Sequence, residues 1–314
     1  MDRKKLMEPK VSICIPCYKQ TKYLKLCLDS VLAQSFKDFE VIITDDTPDD
    51  TVKKFVSQYK IQHLQYFKNE PSLGSPGNWN VAISKAKGKY IKVMHHDDYF
   101  LKPDSLLKFI DAAEKNSSGF VFCNTEVWYT SDNSRRVSSL NAIQLERIKK
   151  DPTFLFFRNK IGAPSATLFL RNNLVFDEDL KWLVDVDFYI SYLRKSSFTY
   201  INEILICTAH ETPGQVTQSV QNDRTVQVKE HVLVFSKLAN AIKDKSVWMS
   251  FFGYLFRDHN VNSLSELEKL VPVSAHVKEF FTDVFSDKNK NIGLKNLKRR
   301  LYNSRLNFFN SEQF

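Results

Sequence analysis

Tyr90-Ile91-Lys92-Val93-Met94-His95-His96-Asp97-Asp98 decides the fold: a short run with strand character stops at two histidines and two carboxylates. The same design occurs upstream, where the β-branched run Glu40-Val41-Ile42-Ile43-Thr44 ends in Asp45-Asp46. Val11-Ser12-Ile13-Cys14-Ile15 is a third such run, ended by Pro16. Helical spacing fills the gaps. Tyr23 to Gln34 carries Leu24, Leu28, Val31 and Leu32 on one face; a second helix is expected from about Asp49 to Tyr59 with Asp49 or Asp50 as its cap. His63 to Phe67 reads as a strand and Gly77 to Ala86 as a helix. The order is βαβαβαβ, the pattern of an α/β fold whose mostly parallel sheet is flanked by helices.

Right-handed crossovers in such a sheet gather the loops after the strands at one edge, where ligands bind. Asp45-Asp46 and Asp97-Asp98 both fall there, so two acidic pairs face one cleft. Either a cation or a hydrogen-bonding ligand shares them, or each pair is a solvated turn or helix cap. Farther along, Phe120 to Cys123 and Thr125 to Tyr129 read as strands, Ser131 to Ser139 as a polar turn region and Asp151 to Asn159 as a helix. Gly162-Ala163-Pro164-Ser165-Ala166-Thr167 is a small-residue approach to the strand Leu168-Phe169-Leu170. From Val216 the composition turns helical, giving an α/β domain over 9–215 and a helical region with a basic tail over 216–314.

The 314 residues are 43% apolar and 26% charged, which suits a globular chain with a sizeable core. The 25 Phe are spread along it, which argues for packing throughout rather than one aromatic platform. Five scattered cysteines, Cys14, Cys17, Cys27, Cys123 and Cys207, suit a reducing compartment. Cys14 and Cys17 have C-x-x-C spacing, but three residues apart on a strand they point to opposite faces, as small buried side chains do. No apolar run reaches the roughly 18–20 residues of a membrane span and no signal core follows Met1-Asp2-Arg3-Lys4-Lys5, so a cytoplasmic protein is expected.

The net charge of +9 is local: Lys288, Lys290, Lys295, Lys298, Arg299, Arg300 and Arg305 carry most of it. That weighs against a nucleic-acid groove along the main domain. Leu294, Leu297, Leu301 and Phe308 fall near one helical face of the same segment. The tail is therefore either a peripheral anchor on the anionic inner face of the cell membrane or an amphipathic helix docked on the protein.

Together the motifs resemble family 2 of the inverting glycosyltransferases, which have the GT-A fold, a Rossmann-like sheet. Val11 to Tyr18 is similar to the family's opening V-S-I-I-I-P-x-Y; Leu28-Asp29-Ser30-Val31-Leu32-Ala33-Gln34 with Phe39 to Ile43 is similar to its S-L-L-x-Q and F-E-I-I-V. Gly74-Ser75-Pro76-Gly77-Asn78-Trp79-Asn80 matches the glycine loop and asparagine before the third helix, and Ala86-Lys87-Gly88-Lys89-Tyr90-Ile91 matches A-x-G-x-Y-I. The resemblance is strong to Asp98, moderate to His210 and absent beyond roughly Ser219.

The resemblance implies roles for particular residues. Asp45 and Asp46 would hold the uracil or ribose of a donor nucleotide, with Pro16 and Tyr18 lining the base; Cys17, Gly74, Asn78, Asn80, His96 and Asp97 complete the donor-binding set. Asp97 and Asp98 correspond to the end of the D-x-D-D signature that holds Mn²⁺ or Mg²⁺ on the diphosphate, and carboxylate oxygens suit such ions. His95 replaces the first acidic position and Trp79 the commoner arginine. Trp182 to Tyr189 resembles E-D-x-D-L-W, which makes Asp185 the base that takes the acceptor proton and Asp187 the second choice. Helix-start carboxylates that complement the macrodipole would read the same way. His210, in a segment similar to R-x-H-x-x-x-x-x-T, would approach the metal or diphosphate.

The expected activity is inverting transfer from a nucleotide sugar, UDP-linked first, to a saccharide or lipid-linked saccharide in surface-polysaccharide assembly. A sugar-nucleotide nucleotidyltransferase could share the acidic site, but Pro16-Cys17-Tyr18-Lys19-Gln20 is not a glycine-rich phosphate loop. A non-catalytic nucleotide- or sugar-binding relative is the other alternative. A dehydrogenase is poorer still, since no G-x-G-x-x-G follows the first strand.

Overall fold

The computed structural model describes residues 8–242 and 244–287. The basic tail and its apolar face, Leu294 to Phe308, lie outside the described residues. The chain forms two compact units, Met1–Gln218 and Ser219–Phe314.

The first unit opens with β1 (Val11–Cys17), α1 (Thr21–Leu32), β2 (Phe39–Asp45), α2 (Thr51–Val56), β3 (Leu64–Lys68), α3 (Gly74–Lys85) and β4 (Tyr90–Val93). β3, β2, β1 and β4 lie side by side and all run parallel, as the alternating pattern predicts. β1, β2 and β4 are buried at every residue, which is why they read as unbroken apolar runs rather than alternating ones. Leu24, Leu28 and Val31 of α1 join Ile13, Ile15, Val41 and Ile43 in one core. β1 does not end at Pro16 as the sequence suggests. Its pairing with β4 stops at Cys14 while pairing with β2 continues to Cys17, so the missing proline N–H leaves no ladder bond unmade on the β4 side.

β5 (Tyr99–Phe100) and α4 (Ser105–Lys115) follow, then β6 (Phe120–Tyr129), β7 (Arg135–Ser138), α5 (Ala142–Lys150), α6 (Phe154–Phe157), β8 (Thr167–Leu170), α7 (Val184–Leu193) and β9 (Phe198–His210). The two strands expected between Phe120 and Tyr129 are one, with a bulge at Asn124 that marks the apparent break. The polar region 131–139 holds an exposed strand, β7, paired antiparallel to β6. The helix expected over 151–159 shrinks to α6, with α5 capped before it by Asn141 through reciprocal bonds with Gln144. This half of the sheet is mixed: β8 is antiparallel to β4 and β6, β9 is parallel to β6, and β5 is antiparallel to β9.

α8 (Val216–Val220) bridges the division between the units along the chain. The second unit holds α9 (Arg224–Leu238), α10 (Lys245–Asp258), α11 (Leu264–Leu270) and α12 (Ala275–Asp287). Here phenylalanines do cluster. Phe235 lies 4.5 Å from Phe280 and 4.9 Å from Phe252, ring centre to ring centre, and Phe252 lies 5.1 Å from Phe281, an internal aromatic core rather than a surface platform. No helix among the described residues is long and apolar enough to cross a membrane.

Candidate functional site

β2 and β4 deliver their acidic pairs to the same edge of the sheet, since both run parallel to β1. The two pairs differ in what they already hold. Asp45 has no exposed surface; it accepts from the Thr47 N–H at 2.8 Å and the Tyr66 hydroxyl at 2.6 Å. Asp46 accepts from the N–H groups of Leu73 (3.1 Å) and Gly74 (2.8 Å) and from Asn69 Nδ2 (2.8 Å). It thus sits at the positive end of α3. Gly74 adopts φ +78°, a conformation that favours glycine, and this turns its N–H toward Asp46.

The second pair is only half satisfied. Asp97 accepts from the Thr212 hydroxyl at 2.9 Å and Asp98 Oδ1 from the Ala209 N–H at 3.0 Å, so the end of β9 clamps the end of β4. Asp98 Oδ2 and His95 Nε2 are buried without a hydrogen-bond partner among the described residues. An unpaired buried polar atom costs about 1–3 kcal/mol, so two in one cluster mark a place built for something else to bind. One ring nitrogen of His95 and one oxygen each of Asp97 and Asp98 lie within 4.8 Å of one another, a donor set that fits a divalent cation. Burial pushes His95 down to about 4, against the pull of Asp97, leaving a neutral ring with a free lone pair. Burial, then the neighbouring Asp97, pushes the Asp98 carboxyl up.

His95, which the sequence marks only as a departure at the first acidic position, is a member of the cluster. His210, expected at the metal, is not a member of this cluster: it ends β9 half-buried, with its ring 5.6 Å from Tyr129 and its carbonyl accepting from the Thr130 N–H. Thr212, two residues on, reaches Asp97 instead. His96 is not a member of the cluster; its Nδ1 lies 3.2 Å from the Pro16 carbonyl.

The remaining donor-set residues divide by exposure. Tyr18 is 40% exposed, with the Lys19 ammonium 4.7 Å from its ring centre, and is free to stack on a base. The Cys17 side chain lies in the core and only its carbonyl faces Asn78 Nδ2 (3.2 Å) and the Asp46 N–H (3.0 Å), so its thiol lines no cleft. Asn78 also accepts from Asn69 at 2.9 Å, while Asn80 is bound on both sides to Phe176 and reaches Glu178 at 2.9 Å. These asparagines brace loops. All five cysteines are free and buried, and burial raises the Cys14 and Cys17 thiols, which agrees with small core residues.

Asp185 and Asp187 fall in the first turn of α7. Asp187 is buried; Asp185 is half-buried, its Oδ2 accepting from Asn159 Nδ2 at 2.6 Å and its Oδ1 from the Val186 N–H at 2.8 Å. Burial lifts its carboxyl from 3.8 to about 7 while those donors pull the other way. Asn159 opens the segment that reaches Ser165, whose hydroxyl accepts the His95 N–H at 2.9 Å. One segment therefore braces both Asp185 and the His95 cluster. Behind it the fully buried Lys92 donates to the carbonyls of Ser165 and Thr167.

The family model of Glycosyl transferase family 2 matches residues 12–179. An uncharacterised glycosyltransferase of Rickettsia typhi is 28% identical over 236 residues, 73% of this chain and 71% of its own. Staphylococcus aureus TarS 1–349, solved in complex with UDP-GlcNAc, superposes with a TM-score of 0.62 at 17% identity over 95% of this chain and 88% of its own. The Pyrobaculum calidifontis mannosyltransferase PcManGT, solved with GDP-Man and Mn²⁺, gives 0.53 at 13% identity over 97% and 82%.

Proposed function

The chain belongs to glycosyl transferase family 2, and from that premise we propose that it moves one sugar, with inversion, from a UDP-sugar to a saccharide or lipid-linked saccharide in surface-polysaccharide assembly at the cytoplasmic face of the membrane. The observation that carries the reading is the cluster of His95, Asp97 and Asp98 with its two unpartnered buried atoms at the ligand-binding edge of the sheet. The TarS complex with UDP-GlcNAc supports a nucleotide-sugar donor, and the PcManGT complex with Mn²⁺ supports a divalent ion.

Asp97, Asp98 and His95 would hold the cation. When bound, such an ion neutralises charge growing on the departing nucleoside diphosphate. Tyr18 would supply an exposed ring for the base, and Asp46, holding the N–H groups of Leu73 and Gly74, would fix the loop beneath the nucleoside. Asp185 takes the acceptor proton as the acceptor oxygen attacks the anomeric carbon from the side opposite the leaving group. A carboxyl near 7 is suited to that work, because it is substantially ionised at neutral pH yet basic enough to receive the proton. Asp187, buried in the same turn, supports the helix start.

Calorimetric titration with UDP, GDP and dTDP, in Mn²⁺ and again in EDTA, tests the reading. Binding of UDP in Mn²⁺ that vanishes in EDTA is expected; binding of none of the three would overturn it.

A further inference from the structure

His95 stands just past the end of β4, where its backbone is bonded on both sides and its ring packs against a neighbouring ring. Its N–H donates to Ser165 Oγ at 2.9 Å, its carbonyl accepts from the Asp98 N–H at 3.0 Å, and its ring lies 4.8 Å from the Trp79 ring at 38°. Trp79 is itself held edge-on to Phe176 at 5.1 Å and 86°. The ring is thus aimed rather than merely accommodated. Its Nδ1 is 3.9 Å from Asp98 Oδ2, and its Nε2 has no partner although it is buried. Asp98 is 2% exposed and its Oδ2 is also unpartnered, an independent sign that the cluster faces a ligand. Of the neighbouring histidines, His96 Nδ1 lies 3.2 Å from the Pro16 carbonyl, and His210 lies outside the cluster with its ring against Tyr129, although the Asp97 charge still acts on it.

We infer that His95 is the third protein ligand of the cation and that, through it, the site selects a first-row transition ion over Mg²⁺. The inference rests on the donor reading above and goes beyond it to the identity of the ion. Asp97 and Asp98 alone would offer oxygen only, which suits Mg²⁺. Mg²⁺ gives up water reluctantly and gains little from imidazole, whereas affinity for nitrogen climbs from Mn²⁺ through Co²⁺. Trp79 and Ser165 act as positioning residues, Trp79 by packing on the ring and Ser165 by holding the backbone N–H, so that less freedom is lost when the ion arrives.

The direct test is electron spin-echo envelope modulation on the full-length protein with Mn²⁺ and UDP. Nitrogen modulation is expected, changing to the ¹⁵N pattern when the protein is made with ¹⁵N-histidine. It should disappear in His95→Gln and persist in His96→Gln and His210→Gln. If His95→Gln does not fold, persistence in the other two variants assigns the signal, because the other four of the seven histidines, His63, His231, His259 and His276, are not members of the cluster. Competition between Co²⁺ and Mg²⁺ for the UDP-bound protein should favour Co²⁺, and His95→Asp should cut that preference by about tenfold or more, since even an outer partner of a ligand is worth about 10–100-fold. Metal-dependent UDP binding without nitrogen modulation, or modulation lost in His210→Gln and kept in His95→Gln, would overturn the inference and leave the donor reading intact. Failure of UDP to bind in Mn²⁺ would overturn both.

Discussion

Asp185 accepts a short bond from Asn159 while burial drives its carboxyl from 3.8 to about 7, so its protonation changes within the working range of most enzymes. As the proposed transfer base it must be ionised, so the rate should climb with pH along a limb centred near 7. Asp185→Asn should lower kcat by roughly 10²–10⁴-fold and leave UDP affinity unchanged, read by steady-state kinetics beside calorimetry. Near-normal turnover would disprove the assignment. The same shift has a stability sign. A carboxyl raised in the folded state stabilises it fully below about pH 4 and loses that contribution as pH rises through about 7. Asp185→Asn should therefore melt on the order of a few °C above the parent at pH 8, and the gap should close at pH 4. The sequence pointed to Asp185 by its place in a motif; it could not show Asn159 as partner, because the two meet only through folding.

At the scale of elements, the turn into β4 shows what a motif glycine is for. A Cβ on Gly88 would meet the Ser12 nitrogen at 2.5 Å and the Val11 carbonyl carbon at 2.6 Å, both rigid β1 backbone. The Gly88 N–H donates to Ser12 Oγ, Ser12 donates to Glu40, and Glu40 also accepts from the Lys87 N–H and from Gln65, so one buried carboxylate fastens β1, β2, β3 and this turn. Gly88→Ala should cost roughly 3 kcal/mol, seen as a lower urea midpoint at unchanged slope. The parallel half of the sheet was legible because its strands are continuous apolar runs with helical periods between them. β9 was not: its stretch Asn202-Glu203 interrupts the apolar pattern, and its pairing partner β6 begins at Phe120, far back in the chain. Lys92 was equally opaque. A lysine in a strand reads as a solvent-facing residue, and only the carbonyls of Ser165 and Thr167 explain why it is fully buried. Trp79 and His95 each read as a separate departure from a motif; that their rings meet, tilted at 4.8 Å, follows only from the folded chain.

On the scale of the whole molecule, the charge excess of the last residues, Lys288 to Arg305, gives the chain a basic end. If it meets an anionic membrane, full-length protein should sediment with vesicles containing anionic lipid and release as salt rises, while a chain ending at Ser286 should not; equal, weak binding of both would remove the membrane from the account. The clamp on the second acidic pair has a consequence for biosynthesis. Asp98 waits for Ala209, 111 residues later, and Asp97 for Thr212, 115 residues later. At translation speeds of about 5–20 residues per second, the growing polypeptide carries these carboxylates for roughly 5–20 s before their partners have even been made. The parallel strands can pair during that interval, but the clamp on Asp97 and Asp98 cannot close. The bracing of this corner is thereby postponed until the ribosome has passed the end of β9, so an early-terminated product would pair its parallel strands yet leave the corner proposed for the ion unclamped.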